Sequence, residues 1–141
     1  MQDKLNVGSR DVFRAGSALA GGVASRGETC GALIGAVMAI GSLVGRERLE
    51  DRGQLQNSME IASRVYTLFK EEIGHTLCAE IHKIRYGRVY RLFVPQEMEA
   101  FHNEGGHSRR GCPEICGIAA RIAARVILEL VPQSRPFKAE K

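Results

Sequence analysis

The most informative stretch of the sequence is an apolar segment rich in glycine and alanine, CGALIGAVMAIG at residues 30–41. Its pattern predicts a helix that starts near Thr29. Gly31 and Gly35 are four residues apart and share one helix face, where the missing side chains let another backbone approach closely. Glycine inside a helix costs about 1 kcal/mol relative to alanine, so close packing must offset this cost. We therefore expect this helix at the centre of the fold.

Helical periodicity also dominates the rest of the chain, and no convincing alternation of period two indicates strands. The expected fold class is all-α, a compact single-domain helical bundle over residues 1–141, with residues 1–9 and 132–141 as peripheral tails. Other helices are predicted after the cap Ser9, from Leu55 to Ile73, after the cap Thr76, from Pro95 to Phe101, and from Cys112 to Leu130.

Two of these helices have predicted buried faces. In the helix that ends at Gly74, the expected C-cap, an amphipathic stripe runs through Leu55, Met59, Ala62, Tyr66, Phe69 and Ile73. In the helix after Thr76, one face is predicted to consist of Leu77, Ile81 and Ile84, and the adjacent face of Cys78 and His82. The stripes predict which side chains reach the core.

Composition limits the possible functions. The chain has 141 residues, 44% hydrophobic and 26% charged, which is typical of a folded protein. Its formal charge is only +4, and no basic motif with interleaved aromatics appears, so nucleic-acid binding is not expected. The longest apolar run, 31–45, is shorter than the roughly 20 residues of a membrane span. No secretory signal is visible, so we expect a cytoplasmic location by default, or a periplasmic one if the chain is a processed product.

The chain has four cysteines, and each is predicted near the start of a helix. Without a signal for an oxidising compartment, they favour metal or redox chemistry over a disulfide framework. Helix N-termini carry partial positive charge, so we expect lowered thiol pKa values at these positions. The four residues are Cys30, Cys78, Cys112 and Cys116.

Cys112 and Cys116 are one helical turn apart, so their sulfurs can face the same point. With one sulfur from each of two other helices, they make four thiolates around one centre. Such a set can bind a tetrahedral zinc, a two-iron cluster or a four-iron cluster. The spacing has neither the paired Cys-x-x-Cys knuckles of a zinc ribbon nor the closely spaced cysteines of the usual ferredoxins.

The segment GGVASRGETCGALIG at residues 21–35 resembles the redox-active family named for its cysteine pattern, C_GCAxxG_C_C. The hallmark is CGALIG at 30–35, and GHTLC at 74–78 and CPE at 112–114 fit the later cysteine regions. The sequence is still more similar to the iron-sulfur domain of split-Soret cytochromes c, through HTLCAEIH at 75–82 and GCPEICG at 111–117. The likeness covers residues 12–130.

The resemblance implies a helical domain that binds an iron-sulfur cluster, with [2Fe-2S] favoured over [4Fe-4S]. It also implies an electron carrier rather than a catalyst, a homodimer, and a redox partner protein for which a haem protein is one candidate. The family has a cysteine well upstream of Cys30 that this chain lacks, so Cys116 is expected to supply the fourth sulfur. No Cys-x-x-Cys-His occurs, so the chain has no site for covalent c-type haem.

Histidines and arginines give weaker signals. His75 and His82 flank Cys78 and could hydrogen-bond a cluster sulfur, whereas direct ligation by either is not expected. A loop with His102, His107, Arg109 and Arg110 is expected to be solvated, although it could close over the cluster or dock an acidic partner. A docking surface could also form from Arg85, Tyr86, Arg88, Tyr90 and Arg91.

Two other functions remain open. A structural zinc site in an interaction module is the main alternative to the electron carrier. A thiol-disulfide enzyme is disfavoured, because the chain has no Cys-x-x-Cys pair and two cysteines one helical turn apart are poorly placed for a catalytic bridge. No catalytic residue is assigned.

Overall fold

The computed structural model describes residues 2–130, in which helices pack on one another and no strand forms. The expected all-α, single-domain fold is confirmed. One isolated antiparallel bridge joins Thr29 to Leu77. The helices are α1 (Gln2–Leu5), α2 (Arg10–Ala15), a 3-10 helix (Gly16–Leu19), α3 (Gly31–Val44), α4 (Arg52–Ile73), α5 (Cys78–Tyr86), α6 (Pro95–Asn103) and α7 (Cys112–Leu130).

The core lies between the three longest helices of this region, α3, α4 and α7, each of which packs against the other two. The prediction that the glycine-rich helix is central is therefore confirmed. Its buried residues are Leu33, Ala36, Ala39 and Ile40. Small and β-branched residues fill the interface from α7, with Ile115, Ala119, Ile122, Ala123, Val126 and Ile127 buried.

The predicted stripe of α4 is only partly right. Phe69 and Ile73 are buried, but Met59 is 60% exposed and Tyr66 is 45% exposed. The core-facing row instead adds Ile61 and Val65. These buried residues are spaced by four throughout, and such a row is inclined to the helix axis, as is typical of ridges that fit between those of a neighbouring helix. The position of the neighbour thus selects the buried row.

The start and the buried face of α5 also differ from the prediction. Leu77 is the N-cap residue, with no side-chain cap, and Thr76 is buried instead of capping. Ile81 is buried as expected, but Ile84 is 58% exposed, whereas Cys78 and His82 are buried. The Thr29–Leu77 bridge fixes the first turn of α5 and thereby turns the cysteine face inward.

The two glycines expected to allow close helix approach behave differently. A Cβ on Gly31 would lie 2.5 Å from the Leu19 carbonyl oxygen, so this glycine allows a real backbone approach. A Cβ on Gly35 would meet nothing within 4 Å, and the prediction for Gly35 was wrong. The expected C-cap Gly74 is confirmed, with a left-handed φ of 95° and its N–H donating to the Lys70 carbonyl.

The first nine residues, expected to be peripheral, supply one side chain to the core, because Val7 is 4% exposed and packs in the main cluster. The other expected tail, 132–141, lies outside the described residues. None of the helices described is both long enough and apolar enough to cross a membrane.

Candidate metal centre

The four cysteines line one cavity of about 350 Å³. Three helices begin at this cavity. Cys30 is the N-cap of α3, Cys78 is the first residue of α5, and Cys112 is the first residue of α7. Cys116 follows one turn later in α7. Residues separated by more than 80 positions in sequence therefore supply thiols to one place.

Cys30 and Cys78 are brought together by backbone hydrogen bonds. The Cys30 N–H donates to the Thr76 carbonyl at 2.8 Å, and the Cys78 N–H donates to the Glu28 carbonyl at 2.7 Å. Both bonds flank the bridge between Thr29 and Leu77. This short pairing joins the start of α3 to the start of α5, and fixes two of the four thiols.

The loop before Cys30 has an unusual backbone. Five successive residues, 21–25, have φ between 50° and 71°, in the left-handed region. Three of them are not glycine, and each such residue costs about 1–2 kcal/mol. At Gly22 a side chain is excluded, because a Cβ would lie 2.7 Å from the Cys78 Cβ and 2.5 Å from the Glu28 oxygen. The glycine-rich approach therefore lets this loop pack directly against the cysteine of α5.

Cys112 is positioned by the loop between α6 and α7. Its N–H donates to the Gly106 carbonyl at 2.8 Å, and a Cβ on Gly111 would lie 2.2 Å from the same oxygen. Arg85 fixes the loop from outside by donating to the Arg110 carbonyl and to Glu114, both at 2.8 Å. Arg85, predicted as part of a docking surface, thus has an internal role.

The pKa values of Cys78, Cys112 and Cys116 move opposite to the prediction. Burial raises the pKa of Cys78 to about 12, and the negative charges of Cys30 and Cys112 add to this rise. Burial, with Cys30 and Cys116, also raises the pKa of Cys112 to about 11, although Arg85 acts in the other direction. Desolvation by burial is the largest cause of both rises.

Cys116 is an exposed residue whose sulfur belongs to the same set. Burial of the thiol in the cavity, followed by the charge of Cys30, raises its pKa. The charge of Cys30 therefore contributes to the raised pKa of each of the other three thiols. Because metals and clusters bind thiolates, loading such a site must release protons.

Four cysteines are a donor set for a metal ion or for an iron-sulfur cluster. Within residues 2–130, there is no group of three or more His, Cys, Asp or Glu side chains that could hold a single metal ion. Zinc at four cysteines requires sulfurs about 2.3 Å from a single point. A cluster of iron and sulfide distributes its four thiolates over separate iron atoms. The four thiols line a common cavity, so the donor set fits a group that is bound by four cysteines.

The histidines near the cavity differ in their contacts. His82 lines the cavity and is 2% exposed, and its Nε2 lies 3.6 Å from the Cys78 Sγ. Burial lowers the pKa of His82, and the nearby Tyr90 backbone acts in the opposite direction by raising it. His75 only supports the turn, where its Nδ1 accepts from the Leu77 N–H. His107 lines the cavity too, and its Nδ1 lies 3.3 Å from Nδ1 of His102.

Part of the cavity wall was not predicted from the sequence. The 3-10 helix and the following residues contribute Leu19, Ala20 and Gly21, and α6 contributes Phe101. No signal of spacing or composition marks these positions. They belong to the site because their segments fold against the starts of α3 and α5.

Four cysteines around one cavity are a donor set for thiol redox chemistry or for metal binding. The chain belongs to the family described as "Putative redox-active protein (C_GCAxxG_C_C)", whose sequence profile matches residues 1–126. The resemblance recognised from residues 30–35 is thereby confirmed, and the family description agrees with a redox role. The comparisons with curated proteins and with solved structures found no match.

Proposed function

We propose that this protein carries electrons through one iron-sulfur cluster bound by Cys30, Cys78, Cys112 and Cys116. The observation that supports the proposal is that these four thiols line a single cavity at the starts of three helices. Four cysteine thiolates are the usual ligand set for [2Fe-2S] and [4Fe-4S] clusters.

The surrounding residues suit such a group. The N–H groups at the starts of α3, α5 and α7 provide partial positive charge, which stabilises an anionic centre once thiolates form. Ile81, Leu92, Phe101 and Ile115 supply an apolar wall that limits the access of water. When bound, an iron-sulfur cluster supplies one-electron oxidation and reduction. The protein's contribution is to bind, shield and orient it.

The proposed cluster is [2Fe-2S], and this choice rests on the likeness to the iron-sulfur domain of split-Soret cytochromes. A redox partner protein receives or donates the electron. The expected homodimer, which rests on the same likeness, stays a prediction that sedimentation of the loaded protein can test.

The decisive experiment is anaerobic reconstitution with iron and sulfide, followed by analysis of both elements and by visible absorption. We expect a brown protein with two irons and two sulfides per chain. A matched control is the variant with all four cysteines changed to serine, which should bind neither. If the protein as purified is colourless and carries one zinc per chain, and does not take up iron and sulfide, the result would instead support the structural zinc site.

The thiol-disulfide alternative has its own readout. Metal-free protein should fail to catalyse the reduction of insulin disulfides by dithiothreitol. Catalysis by metal-free protein would contradict the electron-carrier proposal. The expected inactivity follows from the raised pKa values of Cys78 and Cys112, since the thiolate is the reactive form.

A further inference from the structure

His82 is the one buried polar side chain that points at a cysteine of the cavity in the region described. Its Nε2 lies 3.6 Å from the Cys78 Sγ, within range for a hydrogen bond to sulfur. The other ring nitrogen, Nδ1, is buried and makes no hydrogen bond there. The Nε2 contact therefore joins the ring to a proposed cluster ligand, while the Tyr90 backbone lies close to the same ring.

The ring is held in this orientation by aromatic packing. His82 stacks on Phe101 with ring centroids 4.5 Å apart, and the rings of Tyr86 and Tyr90 meet it edge-on at 6.2 and 6.0 Å. Phe101 is fully buried, and a Cβ on Gly106 would lie 2.2 Å from its ring. The aromatic cluster and this glycine fix the imidazole against Cys78.

The chemistry of a bound cysteine fixes the proton on the ring. A cysteine that ligates iron is a thiolate and can only accept hydrogen bonds, so the facing Nε2 must carry the hydrogen. In a neutral ring, Nδ1 then carries no hydrogen.

We propose that the His82 Nε2–H donates to the Cys78 sulfur and raises the reduction potential of the cluster. The inference rests on the proposed function. Hydrogen bonds to cluster sulfurs withdraw electron density and stabilise the reduced state. His82 is a positioning and tuning residue, and it is not itself a ligand.

The test compares reduction potentials of reconstituted variants. His82→Phe preserves the aromatic packing and removes the donor, so we expect unchanged iron and sulfide content and a more negative potential. His82→Gln restores an N–H and should recover part of the shift. Ile84→Gln, at a 58% exposed position of the same helix and outside the cavity lining, should leave the potential unchanged. Equal potentials for wild type and His82→Phe would overturn the inference.

A second readout needs no variant. In the reduced wild-type protein labelled with ¹⁵N-histidine, electron-nuclear double resonance should show a weak nitrogen coupling, as expected for an imidazole that donates to a ligand sulfur. Absence of any histidine nitrogen coupling, or a strong coupling typical of an iron-bound nitrogen, would overturn the hydrogen-bond role.

The outcomes separate the two proposals. Wild-type protein that takes up no iron and sulfide would contradict both the proposed function and the role of His82. A normal cluster without the potential shift or the nitrogen coupling would contradict the role of His82 alone. A folded His82→Phe variant that loses the cluster would indicate direct ligation instead.

Discussion

Thr29 and Leu77 pair as a single antiparallel bridge in an otherwise helical protein. Each residue immediately precedes a cysteine, Cys30 in one case and Cys78 in the other. The bridge therefore sets two distant thiols side by side before any metal or cluster binds. Preorganisation of this kind lowers the entropic cost of gathering ligands from separate parts of the chain.

The exposed Cys116 tests the ligand set. If its sulfur is the fourth ligand, Cys116→Ala should lose most of the iron and sulfide after reconstitution while the helical content, measured by circular dichroism, is kept. Ala120→Ser, an exposed position one turn later in α7, is the control and should load normally. Normal loading of Cys116→Ala would mean that another group completes the set.

The raised pKa of Cys78 predicts a pH dependence in metal-free protein. The pKa is about 12 in the folded chain, against an ordinary value of 9.0. A thiol of this kind supports the fold fully below its ordinary pKa, and this support is lost as pH rises through the folded pKa. The free energy of unfolding in urea should therefore fall between about pH 9 and 12.

Comparison with Cys78→Ala isolates this effect from the other groups that titrate in the same range. The variant should show a shallower fall over that window. Parallel pH profiles for the two proteins would contradict the assignment.

The two glycines of α3 give a matched pair of substitutions. Gly31→Ala should destabilise metal-free protein by about 1–3 kcal/mol, because the new methyl group meets the Leu19 backbone. Gly35→Ala enters open space in a helix interior and should stabilise by up to about 1 kcal/mol. Chemical denaturation measures both, and equal effects of the two changes would refute the close approach at Gly31.

The buried row of α4 predicts another contrast. Phe69→Ala removes a fully buried ring and should cost about 3–5 kcal/mol of unfolding free energy. Met59→Ala, at a 60% exposed position of the same helix, should change it by about 0.5 kcal/mol or less. A large loss of unfolding free energy in Met59→Ala would indicate that this side chain packs in the core, as periodicity alone predicts.

Sequence patterns were sufficient for features that depend on neighbours along the chain. The helix from Pro95, the C-cap at Gly74 and the start of the last helix at Cys112 all follow from local rules. Faces of helices were harder to predict. Ile84 is as apolar as Ile81, and only the packing of α5 leaves the first exposed and buries the second.

The sequence by itself determined that the chain is helical, that it belongs to the C_GCAxxG_C_C family, and that its cysteines stand at or near helix starts. Local propensity and short motifs carry that information. The tertiary structure decided which thiols share a cavity, that the pKa values of Cys78, Cys112 and Cys116 rise, and that His82 faces Cys78. Burial and contact between distant segments produce these properties, and both depend on where the other segments pack.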